Sequence, residues 1–125
     1  MKSFRFAGHG VSHAFRVDKS FRLEIVLGLP VFAVIAFLLS PLLPWELLLL
    51  VGSYLLILMV ELVNTAFEKM LDKMHPEEHE VIKHSKDIAA GAVLIAFVFA
   101  SLVVLVLWYT RIHTGIPAMI ERPFV

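Results

Sequence analysis

The chain has 125 residues, 59% of them hydrophobic and 18% charged, with 11 basic and 11 acidic side chains and no cysteine. A water-soluble domain this small cannot bury so much apolar surface, so the composition points to a membrane-embedded protein. Zero net charge removes the basic footprint of a nucleic-acid binder, and the lack of cysteine removes disulfide frameworks and thiolate metal sites.

The opening stretch, MKSFRFAGHGVSHAFRVDKSFRLE, is studded with charge and lacks the compact apolar core of a signal peptide. Phe4, Val11 and Phe15 share one face, and Lys2, Arg5 and Arg16 can reach anionic headgroups. The pattern predicts an interfacial amphipathic helix over about 3–20. His9 and His13 are four apart on it and read as headgroup-facing; Gly8 and Gly10 form no phosphate loop.

Three transmembrane helices follow, giving an all-α membrane fold. The first span runs over about 25–43, with Pro30 as a kink or a ragged start. Pro41 and Pro44 mark a short turn. The second span covers about 45–73, apolar to Val60 and amphipathic beyond it. The third covers about 86–110 and carries no charge from Ile88 to Tyr109. Its Ala89, Ala90, Gly91, Ala92 and Ala96 allow close helix packing. Residues 1–110 read as one domain and 111–125, with Gly115, Pro117 and Pro123, as an irregular tail.

Basic residues set the topology. Lys2, Arg5, Arg16, Lys19 and Arg22 precede the first span, and Lys69, Lys73, Lys83 and Lys86 flank the second loop. The turn between the first two spans has none. The positive-inside rule therefore puts the N-terminus and that loop in the cytoplasm and the C-terminus outside.

The polar end of the second span is the unusual part. In VELVNTAFEKMLDKM, the residues Glu61, Asn64, Glu68 and Asp72 fall in a stripe roughly 80° wide. Glu61 sits at or just inside the hydrocarbon edge, where a carboxylate is costly, by ~2.5 kcal/mol or more at the bilayer centre. Acids gathered at a membrane edge suit a hard cation such as magnesium, which usually accompanies phosphate. Lys86, read as lying at the start of a helix, supplies a compact positive charge for phosphate oxygens. A further carboxylate could take a proton from a lipid hydroxyl. Together these suggest phosphoryl transfer from a nucleotide to a lipid alcohol. The same residues also fit plainer readings: the stripe as solvated last turns of a long helix, and Lys86-Asp87 as a helix start capped by Ser85. His75 and His79 are spaced like a metal pair, but Pro76 and the loop placement argue against zinc. No G-x-x-x-x-G-K-[ST] sequence occurs, which excludes a P-loop.

Over about Phe4 to Tyr109 the chain resembles the prokaryotic integral-membrane diacylglycerol kinase and undecaprenol kinase family. The motif E-x-x-N-x-x-x-E-x-x-x-D, the acidic His-containing loop and the K-D pair in HSKDIAAGAVLIA carry the resemblance. FRFAGHGVSHAFRVDKSFRLE looks like the family's N-terminal helix and its acidic-x-x-F-R segment. The resemblance implies an ATP- and magnesium-dependent lipid kinase of the bacterial inner membrane, active as a homotrimer. Its sites would be shared, the first-span region of one chain serving the second span of another.

By the same resemblance, Glu61 would be the general base, and Asp18 and Glu68 would bind magnesium together with the nucleotide. Glu77, Glu78, His79, Lys86 and Asp87 would hold the nucleotide, and Asn64 and Asp72 would brace the site. Phe21, Arg22, Glu24 and Ala90 would border the lipid beside Glu61. Asp18 departs from the family's usual glutamate and is one methylene shorter. The ungapped N-terminal helix and AAGAVL look like the undecaprenol kinase branch, whereas Glu24 looks like the diacylglycerol kinase branch. The competing expectation is a catalytically inactive scaffold or ion-pathway protein of the same fold. Acids clustered at one membrane edge, with none in the third span, favour the kinase over a conduit.

Overall fold

The computed structural model of the chain describes residues 2–77 and 79–120, with 114–120 described by backbone alone. The helices are α1 Lys2–Val17, α2 Lys19–Val26, α3 Gly28–Leu39, α4 Pro44–Met74 and α5 Glu80–Ile120. Three segments are long and apolar enough to cross a membrane: Lys19–Leu39, Pro44–Met74 and Glu80–His113.

Helix α1 leaves Phe4 and Phe6 exposed while burying Ala14, as an interfacial helix does when its apolar side faces lipid rather than protein. It ends at Val17, short of the expected residue 20. The cause is Asp18, which adopts an extended conformation and accepts the Ser20 N–H at 3.0 Å as the N-cap of α2. Short acidic side chains favour this position because they satisfy an otherwise unpaired helical N–H.

The first span is two helices, α2 and α3, meeting at Leu27. Pro30 lies in the first turn of α3, where its missing N–H breaks no helical bond. The helix stops at Leu39 rather than near residue 43, because Ser40 precedes a proline and is held extended. Pro44 then opens α4, and the Glu46 carboxylate accepts the Leu43 N–H at 3.0 Å.

Helix α4 has 31 residues, and at 1.5 Å per residue it is about 46 Å long, against roughly 30 Å of hydrocarbon. Its last turns therefore stand clear of the apolar layer. Its buried stripe is Glu46, Leu50, Ser53, Tyr54, Ile57 and Glu61, the i, i+3/i+4 spacing of a packed helix face. Helix α5 runs antiparallel to it. Ile57 packs in one cluster with Ala96 and Ala100, and Leu50 in another with Val103 and Leu107. The small alanines let the two backbones approach where the bundle has no water to expel.

Helix α5 begins at Glu80, ahead of the expected residue 86, with the His79 ring accepting the Val81 N–H at 3.2 Å. It continues helically to Ile120, where an irregular tail from 111 was expected. Arg111 holds it past the expected end, bonding Leu39 O, Pro41 O and Glu46. Residues 121–125 of that tail lie outside the described residues.

Candidate active site at the basic end of the helices

Glu61 closes the buried stripe of α4 at 8% exposure. Asp18 and Glu24 approach it through Thr65 and Tyr54 on either side of it along α4, and Glu68 lies two turns further along the same helix. Four carboxylates thus come from three positions in the fold: the α1–α2 joint, α2 and the polar end of α4. Among the described residues, the ion pairs are His84–Glu80, Lys86–Asp72 and Arg111–Glu46, and none of them neutralises this group. Like charges crowded at a lipid edge are tolerable only with a compensating cation or a proton.

The neighbours on α4 complete this face. Asn64 donates from Nδ2 to Glu68 Oε1 at 3.3 Å, while its own Oδ1 is buried without a partner among the described residues. Thr65 donates its hydroxyl to Asp18 Oδ2. Tyr54, two turns before Glu61, donates to the Glu24 carbonyl at 2.6 Å. Helix α2 is therefore bonded to α4 at both of its ends, with Glu61 between the two attachments. Asp18 meets α4 of its own chain here through Thr65.

The remaining expected site residues divide. Phe21 is 2% exposed, its side chain packed inside the protein. Arg22 donates to the Phe15 and Arg16 carbonyls at 3.3 and 3.0 Å, closing the end of α1. Ala90 is exposed on α5. An apolar groove of about 420 Å3 runs along α3 and α4 from Ile25 past Phe32 and Tyr54 to Leu47.

A second, polar cavity of about 330 Å3 lies further from the apolar layer, lined by Asp72, His75, Glu77, His79, Lys83 and Lys86. Lys86 pairs with Asp72, and Asp87 is exposed beside them. Glu78 lies outside the described residues. Because α5 starts at Glu80, Lys86 stands in its second turn and Ser85 is not its cap. The helix dipole fades within the first turn, so the positive potential here is that of the lysines themselves. Lys83, named only for topology, and Thr65 and Tyr54 were not singled out as site residues from sequence. Thr65 could have been, since it stands four residues after Glu61 and three before Glu68, about 20° beyond the edge of the stripe.

A magnesium site was expected at Asp18 and Glu68. Among the described residues of one chain, no three His, Asp or Glu side chains form a metal cluster. The groups present still suit a hard cation: all are oxygen donors, and the buried Asn64 Oδ1 lacks a hydrogen bond. Magnesium is commonly held by one or two carboxylates, with phosphate oxygens and water filling the rest.

The sequence profile of the family described as prokaryotic diacylglycerol kinase matches residues 5–108. A Synechocystis sp. protein named diacylglycerol kinase is 37% identical over 102 residues, 81% of this chain and 57% of the relative. The match thus spans little more than half of that relative's length. A Helicobacter pylori protein of the same name is 31% identical over 102 residues, 82% of this chain and 78% of its own. An Escherichia coli diacylglycerol kinase is 40% identical over 52 residues, 42% of this chain and 43% of its own.

Proposed function

The chain belongs to the prokaryotic diacylglycerol kinase family, and we propose that it is a lipid kinase that moves the γ-phosphoryl group of ATP to the hydroxyl of a membrane lipid alcohol. The observation that carries this reading is the position of Glu61. It ends the buried stripe of α4 where the apolar helix gives way to the polar face, so a lipid hydroxyl and a phosphate can meet there. The relatives named for diacylglycerol weigh toward that lipid; undecaprenol, favoured by the N-terminal helix and AAGAVL, is the other candidate.

In this reading Glu61 accepts the proton of the lipid hydroxyl as that oxygen bonds to the γ-phosphorus and the bond from that phosphorus to the bridging oxygen breaks, releasing ADP. Asp18 and Glu68 would hold magnesium, which would neutralise charge on the phosphate oxygens. Lys86 orients the phosphates from the cavity shared with Asp72, while Glu77 and His79 border the rest of the nucleotide. Asn64 holds Glu68 by its amide. The apolar groove beside Tyr54 and Phe32 gives the lipid chains a place along the protein. Positioning and electrostatics supply most of the rate in such transfers.

The protein would work at the cytoplasmic face of the bacterial inner membrane, with the N-terminus inside and the C-terminus outside, by the distribution of its lysines and arginines. A homotrimer would cover the apolar surfaces that one chain leaves exposed, such as Phe37, Leu48 and Ile95. The test is transfer of labelled phosphate from ATP in mixed micelles, with diacylglycerol and undecaprenol offered side by side, with and without magnesium. Magnesium-dependent labelling of a lipid is expected. Folded protein that labels neither lipid would overturn the assignment and leave the scaffold reading.

A further inference from the structure

We propose that Thr65 is a positioning residue for this reaction: its hydroxyl holds the Asp18 carboxylate on the α4 face beside Glu68, where that carboxylate meets the cation of the nucleotide. The inference rests on the lipid-kinase reading above and adds to it a residue that lies outside the acidic motif.

The first support is where the hydroxyl points. A hydroxyl inside a helix ordinarily returns its proton to a carbonyl of the preceding turn. Ser53 does so to Leu50 O at 2.8 Å, and Thr110 to Leu107 O at 2.7 Å. Thr65 instead donates across to Asp18 Oδ2, on another helix joint and 47 residues away in sequence. The second support is what Asp18 does with its other oxygen. Oδ1 caps α2 by accepting the Ser20 N–H. The carboxylate is thus fixed at both oxygens by two donors from different elements. Each carboxylate oxygen keeps a second acceptor site, so the fixed group can still ligate a cation.

The third support is register. Thr65 stands four residues after Glu61 and three before Glu68, the two spacings that share a helix face. It therefore brings Asp18 to α4 at a level along the helix between the base and the other acidic ligand. An aspartate has one methylene fewer than a glutamate with which to search for a metal. A fixed donor on α4 makes up for that shorter reach by setting where the carboxylate stays.

The experiment uses the full-length protein in detergent, with Mn2+ and a non-hydrolysable ATP analogue as probes, and reads bound Mn2+ by electron paramagnetic resonance. Thr65→Val is expected to weaken Mn2+ binding in the presence of the analogue by on the order of tenfold, the loss of one hydrogen bond to a charged group. Thr65→Ser, which restores the hydroxyl, is expected to stay within about twofold of wild type. Asp18→Asn keeps the cap but lowers the charge, and Thr65→Val added to it is expected to cost nothing further. The KM for lipid should move less than the KM for the nucleotide. Thr65→Ala replaces the valine variant if the latter does not insert.

Wild-type affinity in Thr65→Val, or an equal loss in the Asp18→Asn background, would overturn the role of Thr65 while leaving the kinase reading intact. Failure of the wild-type protein to bind Mn2+ with the analogue would overturn the kinase reading and this proposal together.

Discussion

The Tyr54 hydroxyl donates to the Glu24 carbonyl at 2.6 Å, and the same ring lies against Gly28. A Cβ at Gly28 would come within 2.9 Å of Tyr54 Cε1, closer than real side chains pack. One aromatic residue of α4 thereby fixes both the end of α2 and the start of α3. Phe32 packs on its ring from the next turn of α3, with centroids 4.7 Å apart.

Gly28→Ala is expected to destabilise the protein by about 1–3 kcal/mol, because the ring has to move out of a packed position. Tyr54→Phe keeps the ring and loses only the hydrogen bond, about 1 kcal/mol. Thermal unfolding in detergent checks both. Equal stability of Gly28→Ala and wild type would show that the close approach is not needed.

Glu61→Gln is expected to lower lipid phosphorylation by roughly 100- to 10,000-fold, the usual contribution of a positioned general base. The amide matches the carboxylate in size, so insertion and nucleotide binding should persist. Normal turnover in this variant would remove Glu61 from the base role.

Lys86→Gln should raise the KM for ATP by about tenfold or more, since a charge-assisted contact to phosphate is worth roughly 1.5–3 kcal/mol. Lys83→Gln, which empties the same cavity of its second lysine, should raise it less. Neither change should alter the KM for lipid. A lipid-specific effect would place the nucleotide elsewhere.

Chelation of divalent cations should stop transfer, and added Mg2+ should restore it without refolding, because apolar contacts between α4 and α5 hold the helices together. Loss of helical structure on chelation, followed by circular dichroism, would assign the cation a structural role instead.

At the opposite end of the bundle, Glu46 is 1% exposed and Arg111 bonds it at 2.8 Å. Removing one partner of a buried pair leaves an uncompensated charge, so Glu46→Gln or Arg111→Met is expected to cost about 3–5 kcal/mol. Replacing both with leucine should recover much of the loss. The pair is far from Glu61, so the KM values of the protein that does fold should hold.

The sequence by itself determined the membrane class, the three spans, the interfacial helix and the acidic stripe, because all of these follow from local composition and helical period. The stripe of Glu61, Asn64, Glu68 and Asp72 required only 100° per residue, and the family motif made its chemistry readable. Helix ends were less legible. Asp18 as a cap, Ser40 before its proline and His79 ahead of α5 each decide a boundary by one local hydrogen bond or steric limit, which hydropathy does not register. What only the tertiary structure decided is which distant residues meet. Thr65 with Asp18, Tyr54 with Glu24 and Arg111 with Glu46 lie 47, 30 and 65 residues apart. Periodicity places a residue on a face of its own helix, but the partner across the gap is chosen by how the helices pack. That packing places α2 over Glu61 and turns a row of acids into a candidate site.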